Sequence, residues 1–402
     1  MLNKELIEKI KKGHGITHPG MFHADDILST CLIRMINPLF KIKRTDQIPE
    51  NYTGVVYDIG LGRYDHHQQD AEERENGIKY AAFGLLWRDL SEYFMDEEHA
   101  SAFDAAFISE MDRCDNCSDN NLLTTAIKNC NRTWNSDEDA DVLFEKTVDL
   151  FIPVMRKLIQ HFRISTYIPR FCPDMDTSIK IALRNLYEKK TEEDITISDT
   201  CSTLELWDQC SDILTPNENS NYFKRVFLSQ VNKTYGQYKT SPFILAMVNL
   251  SRTQRVKLLE TLMERCFLVI NALGLAKEKT EQIYENSKEK NIIDLGDRYI
   301  PYDTMSNSHL EVKAVMFKSD RGYMMVFTNM TNIEKKKKCL NPQKQFKRME
   351  VPAELRLEES KLRVHFPGIT FVHPSGHLVA GDSKKSLYNF YKICLKNESY
   401  LT

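Results

Sequence analysis

Residues 54–58 read Gly-Val-Val-Tyr-Asp, a short apolar run that ends in an acid. A run of this kind between polar segments predicts a buried strand. Upstream, residues 41–44, Lys-Ile-Lys-Arg, alternate in polarity and predict another strand. Residues 27–36 carry apolar side chains at helical spacing, and Pro38 marks the end of that helix. Strand, loop and helix in alternation favour an α/β fold built on a parallel sheet.

Histidine and aspartate are concentrated on both sides of the predicted strand at 54–58. Five of the eleven histidines fall within the first 67 residues, interleaved with aspartates. One cluster, residues 17–26, reads Thr-His-Pro-Gly-Met-Phe-His-Ala-Asp-Asp, and the other is Asp65-His66-His67. A buried ionisable group must be paired or ligated, so a packed core has no use for so many of them. The pattern therefore indicates a hydrolytic metal centre.

The ligands of such a centre are expected at one edge of the sheet, because sites on parallel sheets form at the carboxyl ends of the strands. Phosphoester hydrolysis by two divalent ions requires several Asp and His ligands, including a bridging carboxylate. Asp58, at the end of its strand, is the candidate bridge. The candidate metal ligands are His18, His23, Asp25, Asp58, His66 and Asp112.

Imidazole and carboxylate ligands together suit two divalent ions, with Mn²⁺ expected and Mg²⁺, Co²⁺ and Zn²⁺ as alternatives. The absence of a thiolate from this ligand set argues against a structural zinc site. A single CxxC pair, Cys114 and Cys117, is weak evidence for zinc. Asp26 could serve as a ligand, although capping of the following helix is the favoured interpretation.

These segments also resemble a known family. Residues 17–26, 63–68 and 111–116 are similar to the Myg family, a branch of the DHH phosphoesterase superfamily. Further similarity lies in residues 131–135, 299–302 and 371–376. The resemblance implies a metal-dependent 3′-5′ exonuclease acting on RNA or a short oligonucleotide, with a dinuclear Asp/His site and a bridging hydroxide.

The resemblance also implies roles for single residues. It gives the six candidate ligands the same role and makes Asp65 and His67 the catalytic residues beside them. Asp65 would orient His66, and His67 would stabilise charge developing on the phosphate. Gly376 and His377 resemble a glycine-rich segment that contacts substrate in this superfamily, with a plain turn as the alternative.

Other phosphate-binding features are less specific. The spacing of Gly376 and Gly381 resembles a P-loop, but Asp382 stands where the phosphate-binding Lys must be. Residues 335–348 form the strongest basic stretch, which either grips phosphates or is a solvated loop. Within it, Arg348 is the preferred substrate contact, because Arg makes bidentate bonds to phosphate.

The pattern along the chain predicts three regions. Residues 1–160 form the metal-binding catalytic domain, and residues 161–290 form a helical connecting region. Within the latter, the polar composition around 190–221 predicts a surface loop or an insertion. Residues 291–402 turn β-rich and predict a small C-terminal α/β domain that binds substrate. Its expected elements are strands at 310–317, 323–327 and 369–372 and a helix at 387–395.

The bulk properties limit the remaining function classes. A net charge of −3 gives no overall basic field, so nucleic acid would bind through a local patch. No run of about 18 apolar residues is present, which predicts that no helix spans a membrane. The ten scattered cysteines are interpreted as reduced thiols of a cytoplasmic protein. The oligomeric state is left open, with a homodimer as one option.

Two rival functions are consistent with the same residues. A phosphoesterase acting on pyrophosphate, an oligonucleotide or a cyclic dinucleotide would use the same metals. A non-catalytic nucleic-acid-binding module would rely on the basic stretch, but it would be expected to have lost a ligand, and all six candidates are present. No Ser-His-Asp or Cys-His arrangement supplies a covalent nucleophile.

Overall fold

The computed structural model describes residues 3–68, 72–117, 120–169, 172, 174–193, 195, 201–215, 220–228, 241–319, 322–328, 350–357, 359–373 and 376–398. The basic stretch and Arg348 lie outside these residues. Two compact units are present, Met1–Asn271 and Ala272–Thr402. Helices combine with parallel and mixed sheets, so the predicted α/β class is confirmed.

The first unit contains a parallel three-stranded sheet in the order β2-β1-β3. Its strands are β1 (His14–Thr17), β2 (Lys41–Arg44) and β3 (Val55–Val56). The strands predicted at 41–44 and within 54–58 are therefore confirmed. The parallel pairing places the residues that follow each strand at the same edge of the sheet.

Helices make up most of the first unit. They are α1 (Lys4–Lys12), α2 (Ala24–Ile36), α3 (Ala82–Phe94), α4 (Glu97–Phe103), α5 (Ser109–Asn116), α6 (Leu122–Lys128), α7 (Ala140–Phe162), α8 (Met175–Thr191), α9 (Thr203–Leu214), α10 (Ser220–Phe223), α11 (Pro242–Val248) and α12 (Arg252–Asn286). The division between the units falls within α12. Helix α2 packs against α7, whose stripe of Phe144, Val148, Phe151 and Met155 is buried in the main core.

A π-helical turn, Asp104–Ile108, joins α4 directly to α5. A π-turn contains one residue more than an α-turn and often marks a functional site. Because the helix continues to Asn116, Asp112 lies inside α5 and does not end the helical run.

Helix α9 shows that residues 203–214 are not the surface loop that was one prediction for residues 190–221, while the insertion stays a prediction. Within this polar segment, Leu206, Trp207, Cys210 and Leu214 recur at helical spacing, and all four are buried. Ser202 caps the helix and Glu205 completes a capping box. The helix was not predicted, because the charged side chains on its exposed face make the composition of the whole segment polar.

The second unit contains a five-stranded sheet in the order β4-β5-β6-β8-β7. The strands are β4 (Ile292–Asp294), β5 (Ala314–Ser319), β6 (Gly322–Phe327), β7 (Ile369–Val372) and β8 (Leu378–Gly381). Strands β4 and β5 are parallel and the other pairs are antiparallel. The helices are α13 (Asp303–Ser308), α14 (Glu359–His365) and α15 (Lys384–Glu398). Strands β5, β6 and β7 and helix α15 confirm the predictions, whereas β4 and β8 were not predicted.

The predicted division at 160/161 falls near the end of α7, and the one at 290/291 falls just before β4. The division into three functional domains stays a prediction. Among the described residues, no helix is both long enough and apolar enough to cross a membrane.

Candidate metal centre

The carboxyl ends of β1 and β3 meet at one edge of the parallel sheet, where the sequence predicts the site. His18 follows the last residue of β1, and Asp58 comes shortly after β3. Their side chains are in contact, because His18 Nε2 lies 3.3 Å from Asp58 Oδ2. The sheet thus brings together two predicted ligands that are distant in sequence.

Asp58 is the central residue of the site. Its Oδ1 lies 3.2 Å from Nε2 of His66, so each of its oxygens faces a different imidazole. The backbone of Asp58 is left-handed, with a φ of +55°, a conformation that Asp adopts more readily than most residues. The carboxylate is 3% exposed, so it is withdrawn from water between the two rings.

His18 and His23, in the loop between β1 and α2, form one group of potential ligands with Asp26, in the first turn of α2. One ligand atom of each lies within 4.8 Å of the other two. Asp26 Oδ2 accepts a hydrogen bond from the His23 backbone N–H at 2.7 Å, which caps α2. Asp26 Oδ1 lies 3.3 Å from His18 Nε2. One oxygen of Asp26 therefore caps the helix, as the sequence favoured, while the other faces a candidate ligand.

Asp25, His66 and Asp115 form another group with the same spacing. His66 Nε2 lies 3.2 Å from Asp115 Oδ2. The two Asp25 oxygens accept hydrogen bonds from the backbone N–H groups of Ala82 and Phe83, at 3.1 and 2.7 Å. These groups begin α3, which has no capping side chain of its own. Helix α3 therefore fixes the Asp25 carboxylate in place.

Hydrogen bonds to Nδ1 orient both central histidines. His18 Nδ1 lies 2.9 Å from the Pro19 carbonyl oxygen, which only accepts, so the proton is on Nδ1. His66 Nδ1 lies 3.1 Å from Oδ1 of Asn116. Asn116 Nδ2 faces three backbone carbonyl oxygens, so its Oδ1 is the acceptor for His66. Those carbonyls belong to Lys79, Tyr80 and Asp112. When the rings are neutral, both therefore present an Nε2 lone pair to the carboxylates.

The carboxylates dominate the electrostatics of the two histidines. Burial alone would lower the pKa of His18, but Asp26 and Asp58 outweigh it and raise that pKa to about 11. Burial would also lower the pKa of His66, but Asp58 and the other nearby acids raise it to about 10. The site is therefore strongly favourable to positive charge.

The acids themselves are crowded. Burial, followed by repulsion from Asp58 and Asp115, raises the pKa of Asp25 well above its ordinary value. Burial also raises the pKa of Asp115, although His66 acts in the opposite direction. Like charges held this close disfavour ionisation unless a cation lies between them.

Three ligand-type atoms at the centre are buried and make no hydrogen bond to any described residue. They are Asp26 Oδ1, Asp58 Oδ1 and His66 Nε2. Asp58 Oδ1 faces His66 Nε2, and Asp26 Oδ1 faces His18 Nε2. When the rings are neutral, each of these contacts joins two acceptors, so the atoms require a further partner. A divalent cation fits this requirement, because carboxylate oxygen and imidazole nitrogen are suitable ligand atoms.

The predicted catalytic residues lie beside this centre. Asp65 Oδ1 is 2.6 Å from Nδ1 of His67 and also accepts the His67 backbone N–H. Asp65 Oδ2 accepts the backbone N–H of Leu61. The Asp65 side chain therefore orients His67, whereas the sequence analysis expected it to orient His66. His67 is 59% exposed and forms a third ligand-type group with Asp58 and His66, so its ring is open to an incoming molecule.

A buried acid anchors the segment before Asp65-His66-His67. Asp89 on α3 accepts hydrogen bonds from Asn3, Arg63 and the Tyr64 hydroxyl. Burial opposes ionisation of Asp89, but Arg63, Asn3 and Tyr64 outweigh it and lower its pKa to about 2. The site segment is thereby tied to α3, the helix whose N-terminus Asp25 caps.

Asp112 lies outside the three ligand groups. Its Oδ1 accepts the Gly84 backbone N–H at 3.1 Å, and its Oδ2 is 2.7 Å from Arg74 Nη2. Arg74 also forms a two-bond ion pair with Asp104. A Cβ at Gly84 would lie 1.9 Å from Asp112 Oδ2, so this close approach requires glycine. Asp115, one turn later on α5, is the acid that meets His66.

The sequence analysis did not select Asp115 or Asn116 as site residues. Both lie in the segment 111–116 that carries the family resemblance, so their position could have drawn attention to them. The sequence does not show which side of α5 faces the sheet, so it could not indicate whether Asp112, Asp115 or Asn116 lies beside His66.

The candidate substrate residues of the second unit are described in part. Gly376 has a φ of +71° in the turn before β8, and its position against the Arg356 guanidinium leaves no room for a Cβ. The rings of His373 and His377 are 4.2 Å apart between centroids. Gly381 ends β8, so the glycine spacing belongs to a turn followed by a strand. Substrate contact by Gly376 and His377 stays a prediction.

Comparison with known proteins covers the same part of the chain. The model MYG1_exonuc, described as Uncharacterised protein family (UPF0160), matches residues 15–200. This region is similar to the Myg family. The MYG1 protein of Dictyostelium discoideum is 25% identical over 173 residues, which cover 33% of this chain and 52% of that protein. The chain spans about half the length of this curated relative. No solved structure matches the chain.

The Myg-family region contains every residue of the three ligand groups, from His18 to Asp115. The family model carries an exonuclease label, which agrees with the hydrolytic chemistry that the His and Asp residues support. The predicted family resemblance is thus confirmed.

Proposed function

We propose that this protein is a metal-dependent phosphodiester hydrolase of the DHH superfamily, acting as a 3′-5′ exonuclease on RNA. The observation that carries the proposal is the position of Asp58, with one oxygen toward His18 and the other toward His66. A carboxylate placed in this way is suited to bridge two divalent ions, for which Mn²⁺ is the expected identity. The Myg-family match supports the nuclease class.

The three groups suggest how the ligands divide between two ions. His18, His23 and Asp26 would hold one ion, and Asp25, His66 and Asp115 would hold the other, with Asp58 shared between them. This assignment adds Asp26 and Asp115 to the predicted ligands and gives Asp112 a supporting role. When bound, the ions would supply an activated water and neutralise charge on the phosphoryl oxygens.

The residues around the centre would prepare the scissile phosphate for attack. Asp65 holds a proton on Nδ1 of His67 through their 2.6 Å contact. His67 is exposed and can therefore hydrogen-bond to a phosphate that approaches the acids. Asn116 and Pro19 keep the Nε2 atoms of His66 and His18 turned toward Asp58. Contacts of Gly376, His377 and Arg348 with substrate stay predictions from the sequence.

The test is hydrolysis of single-stranded RNA and DNA, labelled at the 5′ or the 3′ end, by Mn²⁺-loaded protein. We expect a ladder of shortened 5′-labelled RNA with the wild type and none with His66→Ala. His99→Ala serves as the control, because His99 contacts Asp96 at the start of α4 and lies outside the ligand groups. Cleavage of a dinucleotide in preference to both polymers would instead identify a small-molecule phosphoesterase. Tight RNA binding without Mn²⁺ binding would identify a non-catalytic module.

The two acids of α5 are expected to differ in their effect on the metal. Asp115→Asn should weaken Mn²⁺ binding by about tenfold or more, because it removes a charged atom that faces His66. Asp112→Asn should leave Mn²⁺ affinity near the wild-type value and lower stability, because Asp112 pairs with Arg74. Titration of metal-stripped protein with Mn²⁺ in a calorimeter compares them. If Asp112→Asn weakened Mn²⁺ binding more than Asp115→Asn, Asp112 would be the ligand, as the sequence predicted.

A further inference from the structure

The loop Pro19–Phe22, which separates His18 from His23, is held from two sides by residues that are not themselves potential ligands. Gly20 has a φ of +89°, and both Gly20 and Met21 are exposed, so the loop has little packing of its own at this point. Phe22 is the exception, because its side chain is fully buried and contacts Phe144 on α7.

Asn131 holds the loop through the backbone of Phe22. The Phe22 N–H donates to Asn131 Oδ1 at 2.9 Å, and Asn131 Nδ2 donates to the Phe22 carbonyl at 2.8 Å. This two-bond amide pairing is buried, with Asn131 4% exposed. Asn131 is in turn fixed by Arg265, whose Nη2 donates to its carbonyl oxygen at 2.6 Å. The residue directly after this pairing is His23.

Arg44 holds the loop from the end of β2. Its Nη2 donates to the Gly20 carbonyl at 2.6 Å, and its Nη1 pairs with Asp141 at 2.9 Å. The guanidinium lies 5.7 Å from the ring centroid of Phe22 and 4.8 Å from that of Phe144. Its side chain is 2% exposed, so the cation is buried against two aromatic rings and directed at the loop.

We propose that Arg44 and Asn131, the loop clamp, are positioning residues that hold His18 and His23 at the spacing needed to bind one divalent ion. The proposal rests on the proposed metal centre. His23 is exposed, so nothing in its own burial fixes it. Its backbone N–H is held by Asp26 on one side, and on the other side its position depends on the backbone pairing of Phe22. A loop released from the clamp would have to be ordered by the ion itself, which reduces the affinity for the ion.

The test compares Mn²⁺ affinity of metal-stripped wild type, Asn131→Ala and Asn37→Ala by calorimetry. Asn37 is a matched control, because its amide also joins two backbone groups, the carbonyl of Ile10 and the N–H of Leu39, at the other end of α2. We expect Asn131→Ala to raise the Mn²⁺ dissociation constant about tenfold, the lower range for residues that support ligands. Asn37→Ala should leave the dissociation constant unchanged while lowering stability.

Arg44→Lys provides a second variant in case Asn131→Ala does not fold. It keeps the charge beside Asp141 but loses the planar group that lies against the rings, and it should also weaken Mn²⁺ binding. If the clamp variants bind Mn²⁺ as tightly as the wild type, the clamp proposal is wrong. It is also wrong if Asn37→Ala loses as much Mn²⁺ affinity as they do. Either result leaves the proposed metal centre unaffected. A wild-type protein that binds no Mn²⁺ would overturn the metal centre and the clamp together.

Discussion

Asp58→Asn is expected to weaken Mn²⁺ binding by about 100-fold or more and to abolish hydrolysis of RNA. Residues that only support metal ligands already cost about 10–100-fold when removed, so a shared ligand should reach at least the upper end of that range. Asn keeps the shape of the side chain and tolerates the left-handed backbone at this position. It replaces one anionic oxygen by an amide NH₂, which cannot bind a cation, and it removes the negative charge.

Calorimetric titration with Mn²⁺ measures the loss of affinity, and gel assays of labelled RNA measure the loss of activity. Asp137→Asn is the control, because Asp137 is an exposed aspartate of the same unit and lies outside the ligand groups. Unchanged Mn²⁺ affinity in Asp58→Asn would show that the carboxylate between the two histidines is not a bridge. A loss of activity at unchanged affinity would assign Asp58 a role in the chemical step only.

Arg74→Met is expected to lower the free energy of unfolding by about 3–5 kcal/mol at about pH 8, because it leaves the buried acid Asp112 without its cation. Asp112 has no exposed surface, and the Arg74 side chain is 6% exposed. Met fills the space of the aliphatic part of the Arg74 side chain, so the measured loss of unfolding free energy reports the loss of the ion pair. Arg63→Met is the matched control, because Arg63 also pairs with an aspartate but is 59% exposed. That pair should contribute about 1 kcal/mol or less.

The destabilisation by Arg74→Met should grow with pH. Burial raises the pKa of Asp112 to about 7 in the wild type, even though Arg74 lowers it. A folded-state pKa above the unfolded value means that stability is full at low pH and is lost as pH rises through the folded pKa. Without Arg74, the pKa of Asp112 in the folded state rises further. The variant therefore continues to lose stability at pH values above the wild-type pKa, where the stability of the wild type no longer falls. Urea unfolding at about pH 5 and about pH 8 tests this, and an equal loss at both would contradict it.

Local patterns in the sequence predicted several of the elements that carry the site, although not β1. The strands around 41–44 and 54–58, the helix that starts after His23 and the stripe on α7 depend on the spacing of neighbouring side chains. Parallel order then placed His18 and Asp58 at one edge, and their 3.3 Å contact agrees with that inference. Strands β4 and β8, with three and four residues, were not predicted, whereas the shorter β3 was recognised because it lies in the longer apolar run 54–58.

The choice among neighbouring acids could not be made from the sequence. Asp112 and Asp115 are on the same short helix, and Asp25 and Asp26 are adjacent in another, so pattern alone does not show which oxygen faces a histidine. Asp25 caps α3 from a distance in sequence, and Asp26 caps its own helix while it faces His18. These roles follow from long-range packing, and so does the pairing of Asn131 with Phe22.

The π-helical turn at Asp104–Ile108 has a consequence for changes in chain length. Each residue of an α-helix advances about 100° around the axis. If this turn became ordinary α-helix with all its residues kept, the whole of α5 would rotate by roughly that angle. Asp115 would leave His66, and Asp112 would leave Arg74, without any change in the identity of either acid. Loss of a single residue from the turn would instead remove the extra residue and leave α5 with its present orientation. A deletion here should therefore be better tolerated than one in the regular helix between the turn and Asp112.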